Sequence, residues 1–412
     1  MELRSPTYHK RGPSCFLIII VFLLMGIAFY LFNNRNEIKA AIVPAPTLTP
    51  TQSPANLVLR AQLYVRDGEF DNAIASYEDV IKIAPDRIDN YIRLIDLLVQ
   101  VGNPERALEL ADQALAIDEG NDQLYTVKAA SHLRNGDRLA ENSENPDTEY
   151  ARAVEAARAA TRLNSQNARA HAYIAAGLVR EDISLVNQAL VSAQEALDIT
   201  ERDAREDPTR KLDKVVLYHY AEVQSAAGYY DIAQERLSQA FDIDKNYLDA
   251  RMELARIYFF YRKNNAGAID LLETATENNP NNADLFDTLA YFEIVAGYYD
   301  KAEEYARRAV NANPDMVRAH AHLGWAYFKN SNYPLAIDAL KAATEQYGEP
   351  NADTAFYFAL LGLATYFEDA ADCTEAIPIL QSALAVSAPN SPAEINAQVG
   401  LDDCRDFELN QP

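Results

Sequence analysis

The 412-residue chain is predicted to be all-α: one apolar N-terminal helix, a proline-rich spacer, and a long array of paired antiparallel helices. Three observations carry that prediction. Residues 15–32 form an unbroken apolar run, small residues recur at intervals of 34 through much of the remaining chain, and most of the chain lacks strand-type alternation. Hydrophobic residues make up 49% and charged residues 24%, a packed rather than a disordered composition. With only 14 Gly and 18 Pro, long helices can run uninterrupted.

After a short tail (1–14), Cys15–Phe32 reads CFLIIIVFLLMGIAFYLF, eighteen residues without a charge. That is about the length a helix needs to cross a bilayer core. No small-x-small cleavage site stands directly after it, Ile38-Lys39-Ala40 being displaced from the apolar run, and there is no lipobox cysteine. An uncleaved anchor is therefore expected rather than a removed signal. Arg4, Lys10 and Arg11 precede the segment, while Arg35 and Lys39 come after it. This weak bias favours a cytoplasmic N-terminus, and so a single-pass protein of the cell membrane with an extracytoplasmic remainder. The spacer (33–53) runs into VPAPTLTPTQSP at 43–54, whose four prolines favour an extended, semi-rigid stretch spanning about 3 Å per residue.

Beyond it the 34-residue period is clearest at 248–348. Ala268, Ala302 and Ala336 keep it, as do Ala275, Ala309 and Ala343, Pro280 and Pro314, and Ala290 and Gly324. Near the front, Gly68, Gly102 and Gly136 do the same, with Ala73 and Ala107 in step. Local signals agree: in Asn103-Pro104-Glu105 a capping residue precedes a first-turn proline and an acid, and Pro334 sits similarly.

This pattern resembles the tetratricopeptide repeat. Residues 283–316 match it with Phe286, Leu289, Ala290, Gly297, Ala302, Ala309 and Pro314, departing at Glu293. The next repeat matches with Leu323, Gly324, Tyr327, Ala336, Leu340 and Ala343, and the first with Leu57, Ala61, Tyr64, Gly68, Ala73, Tyr77 and Pro85. The resemblance implies a right-handed superhelical solenoid over 54–390, about nine repeats, closed by a capping helix at 391–406 and a tail at 407–412. An acidic insertion, DRLAENSENPDTE, is expected between the helices of the third repeat, and TERDAREDPTRK to form a loop after the fourth.

The resemblance also implies that first helices line a concave groove. Gln62, Asp89, Asp96, Gln100, Arg134 and Arg180 fall on groove positions early in the array. Later positions carry Tyr218, Arg256, Phe259, Phe260, Tyr291, Arg318, Trp325, Phe328 and Lys329. Aromatic rings beside Arg are the usual anchors of protein recognition, so this is a candidate partner-binding patch; the alternative is that the rings pack on neighbouring helices and close the groove. The Lys and Asn of the carboxylate clamp found in chaperone-binding members are missing. Cys373 and Cys404 are expected at the same end of adjacent helices, either disulfide-bonded or as two buried thiols.

The residues point away from catalysis. The six histidines are scattered, and His320 and His322 lie two apart on a helix, facing different ways. No phosphate-cradling loop, nucleophile elbow or metal-ligand spacing occurs, and no cofactor or small-molecule substrate is implied. A net charge of −24 argues against a nucleic-acid partner. The expected role is a non-enzymatic, membrane-anchored scaffold that binds protein or peptide partners in an envelope complex. Two related roles stay open: a chaperone-like receptor for exported polypeptides, and a non-catalytic regulatory subunit of an envelope enzyme.

Overall fold

The computed structural model describes residues 53–141, 144–369 and 373–409, with side chains through Arg405, and before them the single residue Leu23. The expected anchor at 15–32 and the spacer at 33–53 otherwise lie outside the described residues, save Ser53 at the spacer's end. Among the described residues no helix is long and apolar enough to cross a membrane.

The described chain is all-helical. The pairs are α1 (Pro54–Arg66) with α2 (Phe70–Ile83), α3 (Ile88–Gln100) with α4 (Pro104–Leu115), and α5 (Asp122–Glu141) with α6 (Asp147–Leu163). Then come α7 (Ala168–Glu181) with α8 (Val186–Glu206), α9 (Lys214–Ala226) with α10 (Tyr230–Ile243), and α11 (Leu248–Arg256) with α12 (Asn265–Glu273). The last are α13 (Ala283–Ala296) with α14 (Tyr299–Ala312), α15 (Val317–Lys329) with α16 (Tyr333–Tyr347), and α17 (Ala355–Glu368) with α18 (Ala376–Val386). A final helix, α19 (Pro392–Leu409), packs on α17 and α18.

Small residues at the helix crossings set how closely the pairs approach. A Cβ added at Gly324 on α15 would meet Leu340 Cγ of α16 at 2.5 Å, so a side chain there would push the helices apart. Ala107, Ala111 and Ala114 of α4 are fully buried against α3 and its neighbours, where Leu94, Ile95 and Leu98 fill the remaining space. Several of the turns within pairs use a glycine. At Gly297 φ is 89°, its N–H donates to Ile294 O at 3.1 Å, and the Tyr298 N–H donates to Glu293 O at 2.9 Å. A left-handed residue thus satisfies the last carbonyls of α13 and reverses the chain into α14.

At three places the structure departs from the simple repeat. Gly136 keeps the 34-residue period but closes no turn: α5 runs on to Glu141, and the missing Cβ makes room for the Tyr150 ring, 2.4 Å from where it would stand. The acidic insertion therefore begins as extra helix. Likewise TERDARE is the last part of α8, and only Asp207 onward leaves the helix. Helix-forming Glu, Arg and Ala dominate that stretch, and the break comes where Pro208 would interrupt the ladder. Finally, the end of α11 widens into a π-helical turn at Ile257–Tyr261, which shifts every side chain after it around the helix axis.

Candidate partner-binding face

The first helices of successive pairs form one wall of the array, and that wall holds two distinct regions. The first is a network of charges. Arg134 near the end of α5 lies 3.7 Å from Asp284 at the start of α13, four pairs further along, and 3.4 Å from Glu141. Arg318 of α15 binds Asp284 and, at 2.7 Å, Asp287, whose other oxygen lies 2.7 Å from His322 Nδ1. Arg180 of α7 joins Asp137 of α5 at 2.8 Å to Glu222 of α9 at 2.7 Å, and His219 lies 2.8 Å from the same Glu222.

Enclosure and charge set the protonation of these groups. Burial raises the Glu141 carboxyl, Asp284 adds to it, and the opposing pull of Arg134 and Arg318 leaves it at about 7. Burial acts on Glu222 in the same direction, but Arg180 and His219 outweigh it and hold that carboxyl at about 2. Asp287 is likewise lowered against its burial by His322 and Arg318. Asp249 at the start of α11 is raised, because enclosure by the wall outweighs the attraction of Arg134 and His219.

The second region is aromatic. Phe260, Tyr291, Trp325 and Phe356 succeed one another along the wall, with ring centroids 6.1, 6.2 and 4.8 Å apart in turn. Phe260 is exposed, while Tyr291, Trp325 and Phe356 are half-buried. The indole N–H of Trp325 is shielded and has no acceptor. An aromatic strip of this kind is suited to a partner that brings apolar surface.

The structure distributes the remaining predicted groove residues differently. Phe259 is corrected: it is buried, stacked on Phe292 at 4.0 Å, because the π-helical turn rotates it into the core and leaves Phe260 outside. Tyr218 is half-buried edge-on to His219 and Tyr247, and Arg318 is committed to its two aspartates. Phe328 packs towards Tyr333 and Phe367 rather than along the strip. Arg256 is paired with Glu253 at 3.3 Å, and Lys329 is exposed. Phe356 was not foreseen. Gly362 meets Leu380 as Gly324 meets Leu340, and that shared register places Phe356 on α17 where Arg318 stands on α15. Cys373 and Cys404 are joined by a disulfide that ties the segment before α18 to α19. His320 faces the carbonyl of Pro314, apart from His322, and among the described residues no cluster is placed to hold a metal ion.

Such an array of antiparallel pairs, with a first-helix wall, defines a helical-repeat solenoid. Residues 64–131 and 224–290 match one tetratricopeptide-repeat family model, and residues 293–349 match a second. Over those residues the chain thus matches the tetratricopeptide repeat. Among solved structures, the hetero-tetramer Cut9–Hcn1 of the APC/C is similar at a TM-score of 0.57 and 14% identity, covering 90% of this chain and 81% of that one. Human IFIT1, as a dimer with PPP-AAAA, gives 0.58 and 18% identity, with 95% and 88% covered. At these identities the likeness is one of fold. No curated protein sequence matches the chain.

Proposed function

We propose that this protein is a non-catalytic interaction scaffold that binds a segment of a partner protein along Phe260, Tyr291, Trp325 and Phe356, and is held at a membrane by its apolar segment at 15–32. The observation that carries the reading is the run of four rings along the wall, with Phe260 exposed and Tyr291, Trp325 and Phe356 half-buried. The surrounding charge favours a protein partner over a ligand such as the PPP-AAAA of the IFIT1 structure. The chain carries −24, and carboxylates outnumber guanidinium groups in the network beside the strip. The eighteen uncharged residues of 15–32 support the tether.

Trp325 is the only tryptophan, so its emission reports this site alone. The full chain, purified in detergent, would be used to capture proteins from its own membrane fraction, and peptides from each captured protein titrated against Trp325 emission. A peptide that shifts the emission saturably, and whose parent protein is lost by Tyr291→Ala/Phe356→Ala, supports the site. Capture that survives that substitution, with no peptide moving the emission, refutes it.

A further inference from the structure

We propose that the Arg134–Asp284 ion pair joining α5 to α13, with Arg318 of α15 on the same Asp284, forms a latch that fixes the curvature of the solenoid, holding its third pair against its seventh. In a helical-repeat array each pair ordinarily touches only its neighbours, so curvature is the sum of small rotations and flexes as they do. Arg134 breaks that rule. Its guanidinium spans to Asp284, 150 positions along the sequence, while Arg318 binds the same Asp284 from α15. A ring of contacts is thereby closed through five successive pairs. Rotations that would otherwise accumulate from α5 to α13 are constrained by a single polar junction.

The composition of that junction suits a contact that opens and closes rather than a permanent seam. Among the described residues no buried apolar cluster spans α5 and α13, and the cations of the junction are partly exposed, Arg134 at 31% and Arg318 at 32%, over more enclosed carboxylates, Asp284 at 18% and Asp287 at 4%. Its carboxylates exceed its cations. Glu141, Asp284 and Asp287, with Asp137 and Asp249 nearby, face Arg134, Arg318 and His322, and Arg180 stands behind them on Asp137. Ion pairs of this exposure are weakened by salt, though less than fully exposed ones, whereas the apolar contacts between neighbouring pairs are not. The latch concerns the solenoid itself and holds whether or not the aromatic strip binds a partner.

Its test is a distance between the two sides of the junction. In the full chain with Cys15→Ser, purified in detergent, spin labels at Ala140→Cys and Asn281→Cys, both exposed positions, would be read by pulsed dipolar spectroscopy. The latch predicts one short-distance population, retained by Arg134→Lys and moved to a longer, broader one by Arg134→Glu at unchanged helicity. Arg169→Glu, which breaks the neighbouring-pair contact to Asp213, serves as the control and should leave the short distance in place. For the unsubstituted junction, 1 M salt should lengthen the distance as Arg134→Glu does, a measurement that stands even where a variant fails to fold. An unchanged distance in 1 M salt, or an equal shift from Arg169→Glu, overturns the latch.

Discussion

The carboxylate of Glu293 stands out among single residues. It is 1% exposed within α13, and neither oxygen has a hydrogen-bond partner, Lys301 approaching only to 3.5 Å. Burial raises its pKa, against the pull of Lys301. A carboxyl whose folded pKa lies above its unfolded value binds more protons folded than unfolded. Its unfavourable contribution is therefore absent below the unfolded pKa and grows as pH rises towards the folded one. Glu293→Gln is predicted to raise the urea midpoint at pH 8 and to change it little at pH 5. A gain of the same size at both values would show that charge is not the cause. Glu141, raised to about 7 by burial and Asp284, acts in the same sense between about pH 4.5 and 7. Glu293 was legible in the sequence as a departure from the repeat, since an acid stood where an aromatic was expected. Its isolation was not, because the sequence does not show which cation comes near.

For whole elements, legibility tracked the strength of the local signal. Small residues at fixed spacing placed Gly324 at a helix crossing, and the 2.5 Å approach of Leu340 to its absent Cβ gives the reason. Gly324→Ala is predicted to cost about 1–3 kcal/mol by overpacking α15 against α16, read as a drop in the urea midpoint. Adding Leu340→Ala should recover part of that loss, and a purely additive double variant would argue against a steric cause. Where the chain departs from the repeat by a residue or two, spacing misleads. The π-helical turn at 257–261 exchanged Phe259 for Phe260 on the wall, and the extra turn and more of α5 made Gly136 a packing glycine. At the other end, the Cys373–Cys404 disulfide closes a separation of 31 residues, a constraint worth about 3–4 kcal/mol by chain entropy. Reduction is predicted to speed amide exchange in α19 well before α13–α16 respond. Equal acceleration throughout would mean that the bond supports the whole array rather than its last helix.

Across the whole array, the contact between α5 and α13 makes this solenoid more than a sum of neighbours. Nothing in a 34-residue period announces that residues 134 and 284 will meet, because the meeting depends on rotations accumulated over the intervening pairs. Its energetic signature is a coupling between sites that a strictly nearest-neighbour array would treat as independent. A double-mutant cycle on Arg134→Ala and Asp284→Ala is therefore predicted to show a coupling energy of about 0.5–1 kcal/mol, the scale of partly exposed ion pairs. Because Asp284 also binds Arg318, the cycle must be repeated in Arg318→Ala. Coupling that survives there belongs to Arg134 and Asp284 directly. Raising the salt from about 0.05 to 1 M should diminish it, since screening acts on the pair while leaving apolar packing between neighbours largely intact. Additivity within error at low salt would return the molecule to a one-dimensional array whose curvature no single junction controls.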